Sequence, residues 1–396
     1  MEQDKKLGYL LMGGHTACDI AQGALSAVAA YLVLHYGFSY AQAAGIVLAA
    51  NLATALVQPL FGMIGDRKPR PWIMALGIAF SGIGIAAIGL TSSYPLIIAG
   101  AMLSGLGVDM FHPEGGKLAN LAAGSNKSGG MSIFSIGGNI GFAVGPVIMA
   151  AAVGAFGMPG MLALLIPSLG YSAVLLCNND RLLACEARGA RNRSAARGND
   201  SSASDSTHRD RPGLFVLTTA CMSLRSIINY GLSSFVALYM VQALGTSESL
   251  GSLMVTGVSL ASMVGTLFSS RASGHLRDKR LFAACMAGIA LAALALWATP
   301  ARPVAIALIV LIGFLLTLSN PSMIVLGQEY LPNHLGLASG MLLGVAICLG
   351  GVGTPLMGTI ADFAGVAAVF AGLAVVAALA FALVILLAAL DRPQRS

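Results

Sequence analysis

From residue 8 to residue 390 the chain repeats one element, an apolar run long enough to cross a bilayer. There are twelve such runs, at roughly 8–36, 39–65, 72–91, 94–121, 128–154, 158–180, 213–243, 248–272, 281–299, 303–330, 335–361 and 365–390. A hydrocarbon core of about 30 Å takes about 20 apolar residues per helical crossing. Lipid offers the backbone no hydrogen-bonding partner, so only helices and closed barrels span it. The runs do not alternate apolar and polar residues as barrel strands do. The expectation is an all-α membrane protein with twelve transmembrane helices. Composition agrees, since 57% of the 396 residues are hydrophobic and 10% charged, against about 25% charged in soluble proteins. The mean hydropathy is +0.82. The first run is too long for the apolar stretch of a cleavable signal and lacks a convincing cleavage site.

The 22 Lys and Arg residues give an orientation. Lys5, Lys6, Arg67, Lys68, Arg70, Lys117, Lys127, Arg271, Arg277, Lys279, Arg280, Arg392, Arg395 and the seven arginines of 181–211 fall on one side of the spans. Arg302 falls on the other side and Arg225 inside a span. Positive residues stay cytoplasmic, so both termini are expected in the cytoplasm and the protein in the cell inner membrane. The net charge of +6 is then a topology signal, and no nucleic-acid partner is needed to explain it. The six cysteines form no CxxC pair, and neither a disulfide framework nor a zinc or other metal spacing is present. No cofactor is implied. Trp72 and Trp297 lie at span ends, where an interfacial belt places them.

Between the sixth and seventh runs the composition changes to RLLACEARGARNRSAARGNDSSASDSTHRDRPG. This polar stretch is expected to be a flexible cytoplasmic linker over 181–212, joining a six-helix half at 1–180 to another at 213–396. The halves share landmarks in the same order. GMIGDRKPRP after the second run matches GHLRDKR after the eighth, with Gly62 four residues before Asp66 and Gly274 four before Asp278. Gly105 and His112-Pro113 in the fourth run match Gly313 and Asn320-Pro321 in the tenth. GGNIGFAVGP is echoed by GGVGTP. An offset of roughly 210 residues at three places indicates an internal duplication, hence two pseudo-symmetric halves and the architecture of a secondary transporter, functional as a monomer, with its site expected between the halves.

These motifs resemble those of the major facilitator superfamily. GMIGDRKPR resembles its motif A, G-x-x-x-D-R-x-x-R, and GFAVGP, with Gly141, Gly145 and Pro146, resembles the Gly-x-x-x-Gly-Pro motif of its antiporters. The resemblance covers essentially all twelve runs. More narrowly, FHPEGGKLA, LRSIINYGLSSFVALY, GQEYLPNHLGLASGM and GGVGTPLMGTIAD are similar to the fosmidomycin-resistance branch of bacterial drug exporters. What the resemblance implies is a major facilitator fold and phosphonates such as fosmidomycin as the substrate class.

Charges inside membrane helices are costly and mark functional candidates. His15 and Asp19, four residues apart, share a helical face with Gln22. They either line a water-filled cavity, with His15 and Gln22 toward substrate, or form a buried pair holding the helix to a neighbour. Arg225, with Asn229 one turn on and Tyr230 beside it, offers a permanent planar cation to an anionic substrate. The alternative is a salt bridge to Asp19 or Asp109. In the fourth run, at about 100° per residue, Asp109 and His112 lie about 60° apart, His112 and Glu114 about 160°, and Glu114 and Lys117 about 60°. Two polar faces follow. Asp109 and His112 face the cavity and, with Asp19, exchange protons. Glu114 is expected to clamp Arg67 or Arg70 at a cytoplasmic gate, and Glu329 to do the same with Lys279 or Arg280. Asp278 repeats Asp66 in the second gate. Pro113 removes a backbone hydrogen bond to residue 109 and is expected to kink the helix.

The leading expectation is proton-coupled efflux of small anions. A neutral solute such as a sugar is the alternative, with Asn229 and Tyr230 as its main contacts. An enzyme built on His112 and Glu114 is disfavoured by their opposite faces, and a sensor with a transporter fold has no feature of its own to support it.

Overall fold

The protein is described by a computed structural model covering residues 4–38, 40–52, 54–199, 210–275, 278–299 and 301–391. Residues 200–209 of the expected linker, Leu276 and Arg277 of the second gate motif, and Arg392 and Arg395 lie outside them. Among the described residues there are helices and turns and no strand. The helices are α1 (Lys5–Tyr36), α2 (Tyr40–Leu52), α3 (Thr54–Arg67), α4 (Trp72–Ile88), α5 (Tyr94–Ala122), α6 (Lys127–Phe156), α7 (Leu165–Cys177), α8 (Asn179–Asn199), α9 (Pro212–Leu238), α10 (Glu248–His275), α11 (Asp278–Ala298), α12 (Arg302–Leu318), α13 (Asn320–Tyr330), α14 (Leu335–Gly340), α15 (Ala346–Ala364) and α16 (Val366–Leu390). A 3-10 stretch, Met158–Leu164, leads into α7, and π-helical turns occupy Tyr239–Ala243 and Met341–Val345.

Every one of the twelve apolar runs is occupied by helix, but the runs and helices do not correspond one to one. The tenth run is divided between α12 and α13, and the eleventh between α14 and α15 with a π-helical turn between them; the second holds α2 and α3, with residues 39 and 53 outside the described residues. Among the described residues, eight helical stretches are long and apolar enough to cross a membrane, while Trp72–Ile88 and Leu253–Ser269 are apolar but shorter. Pro113 does not end α5, which continues without a break from Tyr94 to Ala122.

The chain forms two compact units. Unit 1 is Met1–Asp210 with Pro332–Val345, and unit 2 is Arg211–Leu331 with Ala346–Ser396. In unit 1, α1 packs on α6 and α4 on α5. Lipid tails are as apolar as leucine, so such contacts depend on close backbone approach. Gly137, Gly141 and Gly145 recur every four residues along α6 and meet the carbonyls of Met12, Thr16 and Ile20, which recur every four along α1. A Cβ at Gly141 would lie 2.6 Å from the Thr16 oxygen, and the Thr16 hydroxyl donates to the Gly137 carbonyl at 2.9 Å. The α6 glycines are therefore where two helices touch through their backbones. In unit 2, α9 packs on α15 and α16, α11 on α16, and α10 on α12. Tyr239, which opens the π-helical turn after α9, ties that end to α11 by donating its hydroxyl to the Leu296 carbonyl at 2.7 Å.

Part of the stretch expected to be a flexible linker, 181–212, is helical, since α8 spans Asn179–Asn199. Leu182, Cys185 and Glu186 are buried, three residues on one side of just over one helical turn. Burying that side gives α8 a tertiary anchor that its polar composition did not suggest.

Candidate functional site

Unit 1 gathers three of the candidate residues in one place. His15 and Asp19 on α1 do share a face, with His15 Nε2 3.2 Å from Asp19 Oδ2. His112 approaches them from α5, its Nε2 3.1 Å from His15 Nε2 and 3.5 Å from Asp19 Oδ1. All three are buried. The outer nitrogens are fixed as well: His15 Nδ1 is 2.7 Å from the Phe134 carbonyl oxygen and His112 Nδ1 is 2.9 Å from that of Val108. A carbonyl only accepts, so each Nδ1 carries its hydrogen and the Nε2 atoms of the neutral rings present lone pairs. The His15 ring stacks on Phe134 with centroids 4.1 Å apart. Gly138 on α6 lies against the group, and a Cβ there would sit 2.7 Å from His15 Nε2 and 2.8 Å from Asp19 Oδ2. Gln22, a turn beyond Asp19, is half-buried.

Asp109 and His112 part company, although they lie only about 60° apart on α5. His112 turns to α1, whereas Asp109 accepts a hydrogen bond from Gln58 Nε2 on α3 at 3.0 Å. Helix α5 packs against both neighbours, and an arc of that size suffices to separate the two side chains. Gln58 is a functional candidate that the sequence reading passed over; its signal was an amide in the middle of an apolar run, next to Pro59.

The residues expected at the gate form two further groups in unit 1. Asp66 accepts hydrogen bonds from the backbone N–H of Gly336 at 2.8 Å and of Leu337 at 3.0 Å, at the start of α14. Gly62 and Gly336 pack backbone to backbone beside it. Glu114 meets Lys117 at 2.8 Å instead of the expected Arg67 or Arg70, both of which are exposed. Lys117 also pairs with Glu186 of α8 and donates to the Gly65 carbonyl at 3.0 Å. Arg67 ends α3 and Arg70 lies three residues beyond it, both exposed, whereas Lys117 is one turn along α5 from Glu114 and already beside it.

In unit 2, Arg225 on α9 is buried, and its Nε and Nη1 meet no hydrogen-bonding partner among the described residues. Asn229 and Tyr230 are half-buried one turn further on. The region expected to form a second gate is organised around Asp391. Lys279 pairs with it, Arg211 Nη1 lies 2.5 Å from it, and the Tyr330 hydroxyl donates to it at 2.8 Å. Lys279 thus turns to Asp391, where Glu329 had been expected; Glu329 and Arg280 are exposed and Asp278 is half-buried.

The Major Facilitator Superfamily model matches this chain twice, at residues 11–228 and 214–396. The protein belongs to the Major Facilitator Superfamily. As a superfamily member it is a multi-pass membrane transporter and not an enzyme. The double match also parallels the repeated landmarks of the two halves. Among curated relatives, the Fosmidomycin resistance protein of Escherichia coli (strain K12) is 27% identical over 352 residues, 88% of this chain and 84% of the relative. The uncharacterized MFS-type transporter YfnC of Bacillus subtilis (strain 168) is 25% identical over 359 residues, 88% and 85% of the two chains. The transporter therefore resembles the fosmidomycin-resistance branch. Among solved structures, the E. coli fucose:proton symporter FucP aligns with a TM-score of 0.74 over 99% of this chain and 100% of that chain at 14% identity. The human organic anion transporter TETRAN aligns at 0.69 over 97% and 100% with 15% identity. At such identities the structures show the fold alone.

Proposed function

We propose that this transporter exports small anions, phosphonates of the fosmidomycin kind among them, in exchange for protons. The observation that carries the reading is Arg225, a buried guanidinium with two nitrogens unpartnered among the described residues. A buried cation with free donors is costly unless something negative completes it, and its fork suits carboxylate and phosphonate oxygens. Asn229 and Tyr230 flank it as further substrate contacts, and His15 and Gln22 as those of unit 1. Asp19, Asp109 and His112 carry the coupling proton. The relative whose name refers to fosmidomycin resistance supports the substrate class. Sugar symporters among the structural neighbours support only the fold, so a neutral sugar remains the lesser reading.

In this proposal the twelve helical runs cross the inner membrane as two six-helix halves, 1–180 and 213–396, joined on the cytoplasmic side, with both termini in the cytoplasm and one chain sufficing for transport. Asp66 holds the start of α14, with Gly62 allowing the close approach, and Arg67 and Arg70 stay at the aqueous surface of the same gate. Glu114 acts through Lys117, and Asp278, Arg280 and Glu329 belong to the second gate. The antiporter-motif residues Gly141, Gly145 and Pro146 set the α1 to α6 contact that backs His15 and Asp19.

The test is susceptibility. Expression in a fosmidomycin-sensitive bacterium should raise the inhibitory concentration several-fold, and Arg225→Ala should abolish that protection while folded protein remains in the membrane at the wild-type level. Protection unchanged in Arg225→Ala would remove Arg225 from the substrate site, and no protection by the wild type against any anionic antibiotic would end the export reading.

A further inference from the structure

We propose that His15, Asp19 and His112 together bind a divalent transition-metal ion of the zinc class. The inference goes beyond the export reading: with the ion bound, His15, Asp19 and His112 are its ligands, and of the groups assigned to proton coupling Asp109 is the one left to carry the proton. It begins from an electrostatic conflict: two imidazole lone pairs at 3.1 Å and a carboxylate at 3.2 and 3.5 Å converge on one buried point. With both Nδ1 hydrogens committed to the carbonyls of Phe134 and Val108, the neutral rings have no donor to offer one another. Two imidazole nitrogens and the two carboxylate oxygens of Asp19 then face each other with nothing to join them. A cation at their centre resolves the conflict.

The spacing distinguishes the kind of cation. Zinc binds imidazole nitrogen at about 2.0–2.1 Å and carboxylate oxygen at about 2.0–2.2 Å, in a tetrahedron whose ligand-to-ligand edge is then about 3.3 Å. The Nε2 to Nε2 separation of 3.1 Å lies near that edge, as do the 3.2 Å from His15 Nε2 to Asp19 Oδ2 and the 3.5 Å from His112 Nε2 to Asp19 Oδ1, and one ligand atom from each residue falls within 4.8 Å of the others. Each imidazole also has the outer partner usual in metal sites, an Nδ1–H donating to a backbone carbonyl, which fixes the ring and its tautomer. Room is provided by Gly138, since any larger residue would place a Cβ 2.7 Å from His15 Nε2 and 2.8 Å from Asp19 Oδ2. Two nitrogens and one oxygen suit a borderline metal better than magnesium or calcium, which prefer oxygen alone. A fourth position is left for water or an oxygen donor.

The experiment uses the full chain purified in detergent, stripped of metal, with cobalt(II) as the probe. One equivalent should produce the visible absorption of tetrahedral cobalt, and zinc should displace it. His15→Gln, His112→Gln and Asp19→Asn should each weaken binding more than about tenfold, with elution and melting like the wild type. Asp109→Asn, which alters a neighbouring carboxylate outside the triangle, should bind normally. Absence of a tetrahedral signal in the wild type would overturn the proposal and leave the three groups to a proton, as would undiminished binding in the folded ligand variants. No substrate or gradient is present, so this result is separate from success or failure of the export test.

Discussion

A charge taken from water into packed helices needs an opposite charge or a ligand, and the charged residues of this protein divide along that line. Lys117 sits between Glu114 and Glu186, while Arg225 keeps donors without a partner among the described residues. The first is consistent with a structural tie and the second with a binding group. Asp391 belongs with the ties. Burial pushes its carboxyl up, but hydrogen bonds from Lys279 and Tyr330 and the charges of Lys279 and Arg211 outweigh burial and hold it below the usual carboxylate range. A carboxyl whose folded pKa lies below its unfolded value contributes stability above the unfolded value, near 3.9, and that contribution is lost as pH falls through the folded one. The melting temperature of the purified transporter should therefore drop on acidification from about pH 5 to about pH 3 more steeply in the wild type than in Asp391→Asn. At neutral pH the variant should be less stable by about 2 kcal/mol, the scale of hydrogen bonds to a charged group. Parallel melting curves for the two proteins across that range would remove Asp391 as the source.

At the scale of elements, α8 differs most from its sequence. Its polar composition signalled a tether, and little more than one turn with Leu182, Cys185 and Glu186 on one side is too short a stripe to stand out by periodicity. What folds it is tertiary: the Glu186 to Lys117 pair, Gly189 against Leu121, and an ion pair between Arg188 and Asp4 at 3.5 Å. The long apolar helices were legible because lipid imposes length and apolarity on each one separately, whereas a helix held by a few tertiary contacts is visible only once its partners are placed. Cys185 reports on this packing, being buried with a thiol that burial pushes above its usual range despite the nearby Arg188. Maleimide should label it slowly in the folded wild type. Glu186→Ala leaves Lys117 its Glu114 partner but loosens α8, so labelling of Cys185 should accelerate at least about tenfold, the equivalent of 1.4 kcal/mol of weakened docking and within what a broken buried pair costs. Equal labelling rates would mean that α8 does not depend on this contact.

For the whole molecule, the sequence showed less of the site than of the helices for a geometric reason. A spacing of four residues places His15 beside Asp19 on one helix, but nothing local brings His112 to them from 97 residues away, or turns Asp109 toward Gln58. The transport mode is a property of the complete cycle and has its own arithmetic. One charge crossing 100 mV is worth about 2.3 kcal/mol. Exporting a monoanion while admitting one proton moves two charges in the favourable direction, about 4.6 kcal/mol, or about a thousandfold in concentration at 1.4 kcal/mol per decade. Carrying a monoanion and a proton together in the same direction moves no net charge, and the potential then contributes nothing. Inverted vesicles with a potassium diffusion potential, inside positive and with no pH gradient, separate the two cases. Exchange predicts that the potential alone drives fosmidomycin into the vesicles, that substrate entry alkalinises their interior as protons leave, and that Arg225→Ala abolishes both signals. Accumulation indifferent to the potential but responsive to pH would establish co-transport in its place, and Arg225 would then bind an anion that travels with its proton.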